Sequence, residues 1–336
     1  MNQKNKQKES NWKFSSRILQ DVSRTFALNI NKLEGDTHRA VLIGYLLFRI
    51  ADCFEDSFFQ DEKQKIENLQ LFIEIFQKPS KEEALSHYEK IKDIWPEESP
   101  ERELLMNGEK VFEVYFDFSP EYREIIARHI IETTEGMVEF QIKKNQSDKE
   151  LYQLKNVKEL EDYCYYVAGV VGKMLTDIFC MRESIKPSRE KIKKNEVSFG
   201  ISLQLINILK DWKKDIKRGW LYIPRTVFDY EKGIPDKIEV ITPLINLVIK
   251  NLYEGITYIK SIPKKELDIR LFCIIPVVLA YNTLVNIMEG KGNKISRDTV
   301  YKLLDDCEKF ANSNKLLHND FEEKAKLLSR LAGKRE

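Results

Sequence analysis

Glycine is scarce in this chain, 13 among 336 residues, and no G-x-G-x-x-G occurs. That absence excludes a Rossmann cradle for a dinucleotide. Cysteine is sparse too. Cys53, Cys164, Cys180, Cys273 and Cys307 are odd in number, widely spaced and free of any C-x-x-C. The spacing argues against a disulfide frame or a zinc site and reads as reduced, intracellular thiols. No charge sign dominates: Lys+Arg number 55 and Asp+Glu 54, so the balance gives no support for a nucleic-acid partner. The N-terminal MNQKNKQKESNWK lacks the apolar stretch of a signal peptide. The longest apolar run, LFCIIPVVLAY at 271–281, is too short to span a bilayer. The expectation is a soluble, cytoplasmic protein, at most peripheral to a membrane through an amphipathic patch near 269–288 or the basic C-terminal helix.

Strand-like alternation is also hard to find. What recurs is apolar spacing of three and four residues, with helix punctuation between. Gly35-Asp36 reads as the stop of one helix and the cap of the next, and Ser80 with Glu83 as a capping box. Ser99-Pro100-Glu101 and Ser119-Pro120-Glu121 each put Ser at the cap and Pro at the first helical position. Helices are predicted over 12–30, 36–60, 62–78, 80–94, 99–116, 120–145, 157–184, 189–217, 237–261, 265–290, 297–312 and 317–333. No linker or repeat divides them. The chain is expected to be one all-α domain, 1–336, with a polar, flexible start at 1–11.

Two of these helices carry polar stripes. In YLLFRIADCFED, 45–56, Tyr45, Arg49, Asp52 and Asp56 share one face, with Glu55 beside them. The aspartates lie one turn apart, about 6 Å along the axis. The rest of that helix is Leu46, Leu47, Phe48 and Ile50. The plain reading is an acidic helix end, although acids there oppose the macrodipole, a cost that a bound cation would offset. The second stripe, in LQLINILKDWKKD, 203–215, is Gln204, Asn207, Asp211 and Asp215. Amides in an apolar helix are costly unless they bond something. A single stripe is readily a solvated edge, but two, each ending in an Asp pair, suggest a shared polar cavity. Oxygen ligands without His or Cys suit Mg²⁺, which retains waters and shares phosphate oxygens. With Arg49, Lys210, Lys214 and Arg218 nearby, the set would serve a Mg²⁺–diphosphate.

Ordered blocks extend beyond these two: SRTFALNI (23–30), EGMVEF (135–140), YCYYVAGVVGKML (163–175) and LFCIIP (271–276). Together they resemble the squalene/phytoene synthase family over roughly residues 15–310, its squalene-forming members most closely. The resemblance implies an isoprenoid synthase (terpene synthase-like) helical fold with a central cavity. It implies that Asp52, Glu55 and Asp56 form a first metal motif and Asp211 and Asp215 a second. It places Arg24, Tyr45 and Arg49 at the diphosphates, with Gln204, Asn207, Lys210 and Arg218 lining the same substrate site. Tyr163 and Phe272 match aromatics implicated in catalysis, and Tyr166 shares the Tyr163 face. Lys294 and Arg297 match a basic loop implicated in NADPH use.

The implied activity is head-to-head condensation of two farnesyl diphosphates to presqualene diphosphate with Mg²⁺-assisted diphosphate loss, then NADPH-dependent rearrangement to squalene. The chain departs from the family at Lys214, in place of an acid, and at Lys210, where Arg is common and binds phosphate bidentately. Ser296 interrupts the basic loop, and Arg270 replaces an aromatic two residues before Phe272. These departures bear on the product. A sister enzyme ending at presqualene diphosphate, dehydrosqualene or phytoene, or cyclising a prenyl diphosphate, is the alternative. A non-catalytic lipid-binding or interaction module is the remote one.

Overall fold

The computed structural model describes residues 3–78, 80–147, 149–233 and 237–333. The fold is all-α, as the apolar spacing predicted. The chain divides into two compact units, Met1–Lys149 and Glu150–Glu336.

The first unit contains α1 (Gln3–Val22), α2 (Arg24–Ile30), α3 (Gly35–Asp56), α4 (Glu62–Ile75), α5 (Lys81–Tyr88), α6 (Pro100–Met106), α7 (Gly108–Phe116) and α8 (Pro120–Asn145). Helix α1 begins well before the expected start. Its early turns are tied down by a Gln7–Asn11 hydrogen bond and the Lys8–Asp117 ion pair. The expected helix over 12–30 is broken because Ser23 caps a new one, its hydroxyl accepting from the Phe26 amide. Caps also fall at Ser80 and Ser99 as predicted. The full reciprocal capping box is instead Asp61 with Gln64. At 34–36 the cap is Glu34, and Gly35 opens the helix at φ +59°, so Asp36 sits in the first turn rather than at the cap. Asn107 separates α6 from α7, where a Cβ on Gly108 would lie 2.1 Å from the Tyr88 hydroxyl. Helix α3 is buried on nearly every face, because α1, α4, α7 and α8 all pack on it. Beneath it Phe72 meets Phe54 at 5.6 Å and Phe112 at 6.2 Å.

The second unit holds a short parallel pair, β1 (Tyr152–Gln153) and β2 (Trp220–Leu221). Its helices are α9 (Val157–Cys164), α10 (Val170–Phe179), α11 (Arg189–Lys193), α12 (Glu196–Asp215), α13 (Lys237–Ile241), α14 (Ile245–Ser261), α15 (Leu267–Met288), α16 (Arg297–Asn312) and α17 (Asn314–Gly333). A π-helical turn, Tyr165–Gly169, joins α9 to α10. Helix α12 is central, packed by α9, α10, α14 and α15. Two glycines permit its close approach to α10 and to the π turn: a Cβ on Gly172 would sit 2.0 Å from the Glu196 carbonyl, and one on Gly200 would sit 1.9 Å from that of Ala168. Helix α15 is long and apolar enough to cross a membrane by composition, yet 61% of its most apolar window is buried inside the protein. It packs against α12, α14, α16 and α17. That burial leaves little of 269–288 for the docking patch expected there.

Candidate active site

In the first unit, α3 brings Tyr45, Arg49, Asp52, Glu55 and Asp56 onto its final turns. Arg49 is held from two sides, by Glu101 at 2.7 Å and by Asp52 at 3.7 Å. Burial works against its charge, but Asp52 and Glu101 outweigh burial and raise its pKa. Its Nε is buried without a hydrogen-bond partner. A guanidinium with one edge fixed by carboxylates and a buried donor left over is prepared for an additional anion. Tyr45 packs 5.6 Å from Phe26, and burial pushes its hydroxyl pKa up, partly opposed by Ser23 and Arg49. The Asp52 side chain is 41% exposed, whereas Glu55 is buried at 7%. The stripe is therefore not uniform. Arg24 starts α2, and its side chain lies outside the described residues.

In the second unit, α12 carries Gln204, Asn207, Lys210, Asp211 and Asp215, with Arg218 in the 3₁₀ turn that follows. The apolar face, including fully buried Trp212, turns inward and fixes the stripe outward. Lys210 donates to the Asn207 amide oxygen at 3.0 Å and pairs with Asp211 at 3.3 Å. Lys214 pairs with Asp211 at 2.7 Å. Burial alone would raise the Asp211 pKa, but these two lysines outweigh it and hold it below the ordinary carboxylate value. Lys214, the departure from the family pattern, is thus the counterion of the motif's first aspartate.

The basic loop is built against the same helix. Asn293 donates to the Lys210 carbonyl at 2.7 Å, and Asn286 donates to the Gly292 and Lys294 carbonyls at 2.8 and 3.1 Å. Gly290 and Gly292 adopt φ of +77° and +98°, which tightens the loop. Lys294 is exposed, and Arg297 opens α16. Ser296, the interruption in the basic loop, caps α16 by accepting the Thr299 amide at 3.1 Å.

The aromatics are more ordered than their spacing suggested. Tyr163 stacks on Tyr222 at 4.2 Å, and Tyr222 stacks on Trp220 at 5.4 Å. Tyr166 meets Tyr165 edge-on within the π turn, and Lys173 donates to the Tyr165 hydroxyl at 3.1 Å. Such π turns often occur at functional sites. Phe272, buried at 6%, packs edge-on against Phe179 at 5.9 Å. Tyr163 and Phe272 therefore have fixed ring planes. Sequence reading missed Glu101, Tyr222 and Asn293, since each is placed by distant chain segments.

Among the described residues, no group of three or more His, Cys, Asp or Glu side chains gathers to hold a metal. Mg²⁺ does not require one. One or two carboxylates suffice when phosphate oxygens and waters complete its shell. The two Asp pairs, oxygen-only and one turn apart, fit that requirement.

The sequence profile of squalene/phytoene synthase matches residues 19–304. The chain belongs to the squalene/phytoene synthase family. Squalene synthase of Candida albicans is 28% identical over 284 residues, covering 80% of this chain and 60% of that protein. Squalene synthase of Homo sapiens is 27% identical over 285 residues, covering 82% and 63%. The chain thus spans less than two thirds of the length of these relatives. Among solved structures, TcSQS with a bound ligand superposes with a TM-score of 0.76 at 21% identity, covering 97% of this chain and 100% of that one. A dehydrosqualene synthase in complex with ligand superposes at 0.62 and 19% identity, covering 91% and 98%. These squalene/phytoene synthase structures share the helical fold.

Proposed function

We propose that this protein is a prenyl transferase that joins two farnesyl diphosphates head to head to presqualene diphosphate and, with NADPH, reduces it to squalene. The observation that carries this reading is the pair of aspartate stripes on α3 and α12, each flanked by basic side chains, within the span that matches the family. Mg²⁺, when bound by Asp52, Asp56, Asp211 and Asp215, would neutralise a diphosphate leaving group. Arg49, Lys210 and Arg218 supply positive charge for the diphosphate oxygens, with Gln204 and Asn207 as neutral hydrogen-bonding partners. Tyr45 and Arg24 belong to the same substrate set. An allylic cation must meet a carbon nucleophile before water, which calls for a closed apolar site with aromatic faces. Tyr163, held by the Tyr222 stack, Tyr166 and Phe272 are the residues we assign to that task. We read residues 1–336 as a single prenyl-diphosphate synthase domain.

NADPH, when bound, would supply the hydride of the second half-reaction, and Lys294 and Arg297 are the cations for its phosphates. Two of the departures, at Ser296 and Arg270, have structural reasons, Ser296 as a helix cap and Arg270 as a buried tie between helices. Neither requires loss of a nicotinamide site, which supports the reductive reading. The test is incubation of purified protein with farnesyl diphosphate and Mg²⁺, with and without NADPH, and identification of the hydrocarbon. Presqualene diphosphate should form in both, and squalene only with NADPH. Lys294→Ala with Arg297→Ala should raise the NADPH requirement about tenfold or more without slowing the first step, the scale of losing charge-assisted phosphate bonds. An identical product profile with and without NADPH would promote the sister enzyme instead.

A membrane contact, where there is one, is proposed to be peripheral: α15 is mostly buried inside the protein, and α17 exposes Leu316. A high-salt wash should release the protein from membranes. Retention after that wash would overturn the assignment.

A further inference from the structure

The turn that ends the second aspartate helix delivers two aromatic side chains to α9. Gly219 adopts φ +76° after the 3₁₀ turn Ile216–Arg218, and β2 leaves it extended. In an extended chain residues two apart share a face. Trp220 and Tyr222 accordingly lie side by side, their rings 5.4 Å apart and within 6° of parallel. Tyr222 then stacks on Tyr163 of α9 at 4.2 Å and 20°. All three residues are buried. The stack is closed on its far side. Trp220 is paired in register with Tyr152 across β2 and β1, and their rings meet edge-on at 5.4 Å. The Tyr152 hydroxyl donates to Glu159 Oε1 at 2.9 Å, and the Lys155 amide donates to Oε2 at 2.7 Å. Glu159 stands on α9 one turn before Tyr163, so the circuit returns to the helix it started from. Burial and the bond to Glu159 both raise the Tyr152 hydroxyl pKa, which keeps its proton in place for donation. Gln153 clasps the chain beyond Tyr222. Its amide nitrogen donates to the Ile223 and Phe228 carbonyls at 3.1 and 2.7 Å, and its oxygen accepts from the Tyr230 amide at 3.2 Å.

We propose that Tyr222 is a positioning residue for the condensation: its ring, backed by Trp220 and by the Tyr152–Glu159 tie, fixes the plane of the Tyr163 ring toward the reacting cation. A cation is attracted to the face of an aromatic ring, so the benefit depends on where that face points. Small displacements of a group at the reacting atoms cost large factors in rate. A flat ring laid on Tyr163 leaves it fewer orientations than aliphatic packing would. The contact is between ring faces, so the Tyr222 ring and not its hydroxyl does the positioning. Ordinary core packing would also bury three rings, but it would not make the effect of losing Tyr222 depend on the presence of Tyr163.

This inference rests on the assignment of Tyr163 to the cation chemistry, and the test separates the two. Full-length protein is assayed for presqualene diphosphate formation from farnesyl diphosphate with Mg²⁺ and without NADPH, and thermal unfolding is followed in parallel. Tyr222→Leu should lower kcat about tenfold to a hundredfold, the scale of a misplaced group, while KM changes less than about twofold. Tyr222→Phe should stay within about threefold of the wild-type rate, because it keeps the stacked ring. In the Tyr163→Leu background, Tyr222→Leu should cause no further slowing. Trp220→Leu, one ring further out, should follow the same pattern with a smaller effect, and it carries the test if Tyr222→Leu does not fold. With Tyr163→Leu itself slow, equal slowing by the second substitution in both backgrounds would overturn the proposal. A loss in Tyr222→Phe as large as in Tyr222→Leu would overturn it as well. Wild-type turnover in Tyr163→Leu would overturn the assignment of Tyr163, and the positioning role with it. Non-additive unfolding midpoints in the same variants would then show that the ring contact itself stands.

Discussion

Replacing Asp52 or Asp211 by Asn should cut diphosphate release from farnesyl diphosphate by about a hundredfold to a thousandfold, leaving the helical content intact. The magnitude follows from the several kcal/mol of charge stabilisation that a metal supplies at a departing phosphate, with each ~1.4 kcal/mol worth a factor of ten. The fold should survive because neither carboxylate is a core element: the Asp52 side chain is 41% exposed and that of Asp211 27%. Asn keeps the shape and removes the charge. The wild type treated with EDTA should fall to the same level and recover on adding Mg²⁺. Full turnover in either variant, or turnover in EDTA, would remove the carboxylate-held metal from the mechanism.

Acid should act on the second motif through the charges around Asp211. The folded-state pKa of Asp211 lies below its unfolded value because Lys214 and Lys210 outweigh burial. A depressed carboxylate contributes stability that is fully present above the unfolded pKa, about 4, and fades as pH falls through the lower folded value. The carboxylate is therefore ionised at neutral pH, as a Mg²⁺ ligand must be. In the Asn variant both lysines lose that partner.

How much of this was legible in the sequence varies from residue to residue. The stripes on α3 and α12 were readable because a helix repeats every 3.6 residues and both are amphipathic over several turns. Ser80 and Ser99 were readable because capping is a local event. The π turn at Tyr165–Gly169 was not, since one extra residue in a long apolar run leaves the periodicity almost unchanged. Equal spacing also hid the difference between Asp52 and Glu55. Which carboxylate is buried depends on α4 and α8, brought in from distant sequence. Tyr222 was missed likewise: it reaches Tyr163 only because β2 pairs with β1 ahead of α9.

Arg270 is the extreme case of a role that only packing reveals, and it carries the largest expected effect on stability. As a lone charge in the apolar stretch of α15 it reads as a departure from an aromatic position. In the structure it is fully buried, and its described hydrogen bonds all go to neutral oxygens. Nε donates to the Ala311 carbonyl at 2.7 Å, Nη1 to the Ile259 and Ile262 carbonyls at 3.0 and 2.9 Å, and Nη2 to the Asn314 amide oxygen at 2.7 Å. Ile259 and Ile262 lie at the C-terminal end of α14, Ala311 at that of α16, and Asn314 opens α17. Helix ends leave carbonyls without intrahelical partners and carry partial negative charge. One planar guanidinium satisfies two such ends and the start of a third helix, a geometry a Lys ammonium cannot copy. Burial pulls the Arg270 pKa down, yet arginine stays protonated at any ordinary pH. Arg270→Leu would match the apolar helix but take the guanidinium donor from the buried Ala311 and Ile262 carbonyls and from the part-buried Asn314 amide oxygen, while the Ile259 carbonyl keeps the Ile262 amide; each buried acceptor left unpaired costs about 1–3 kcal/mol. A loss of at least roughly 3–5 kcal/mol is expected, enough to unfold a protein of ordinary marginal stability. Denaturant unfolding should show the midpoint falling steeply, with Arg270→Lys recovering only part of the loss. Wild-type stability in Arg270→Leu would mean that the helix ends find other partners, and that Arg270 is not what joins α14, α16 and α17.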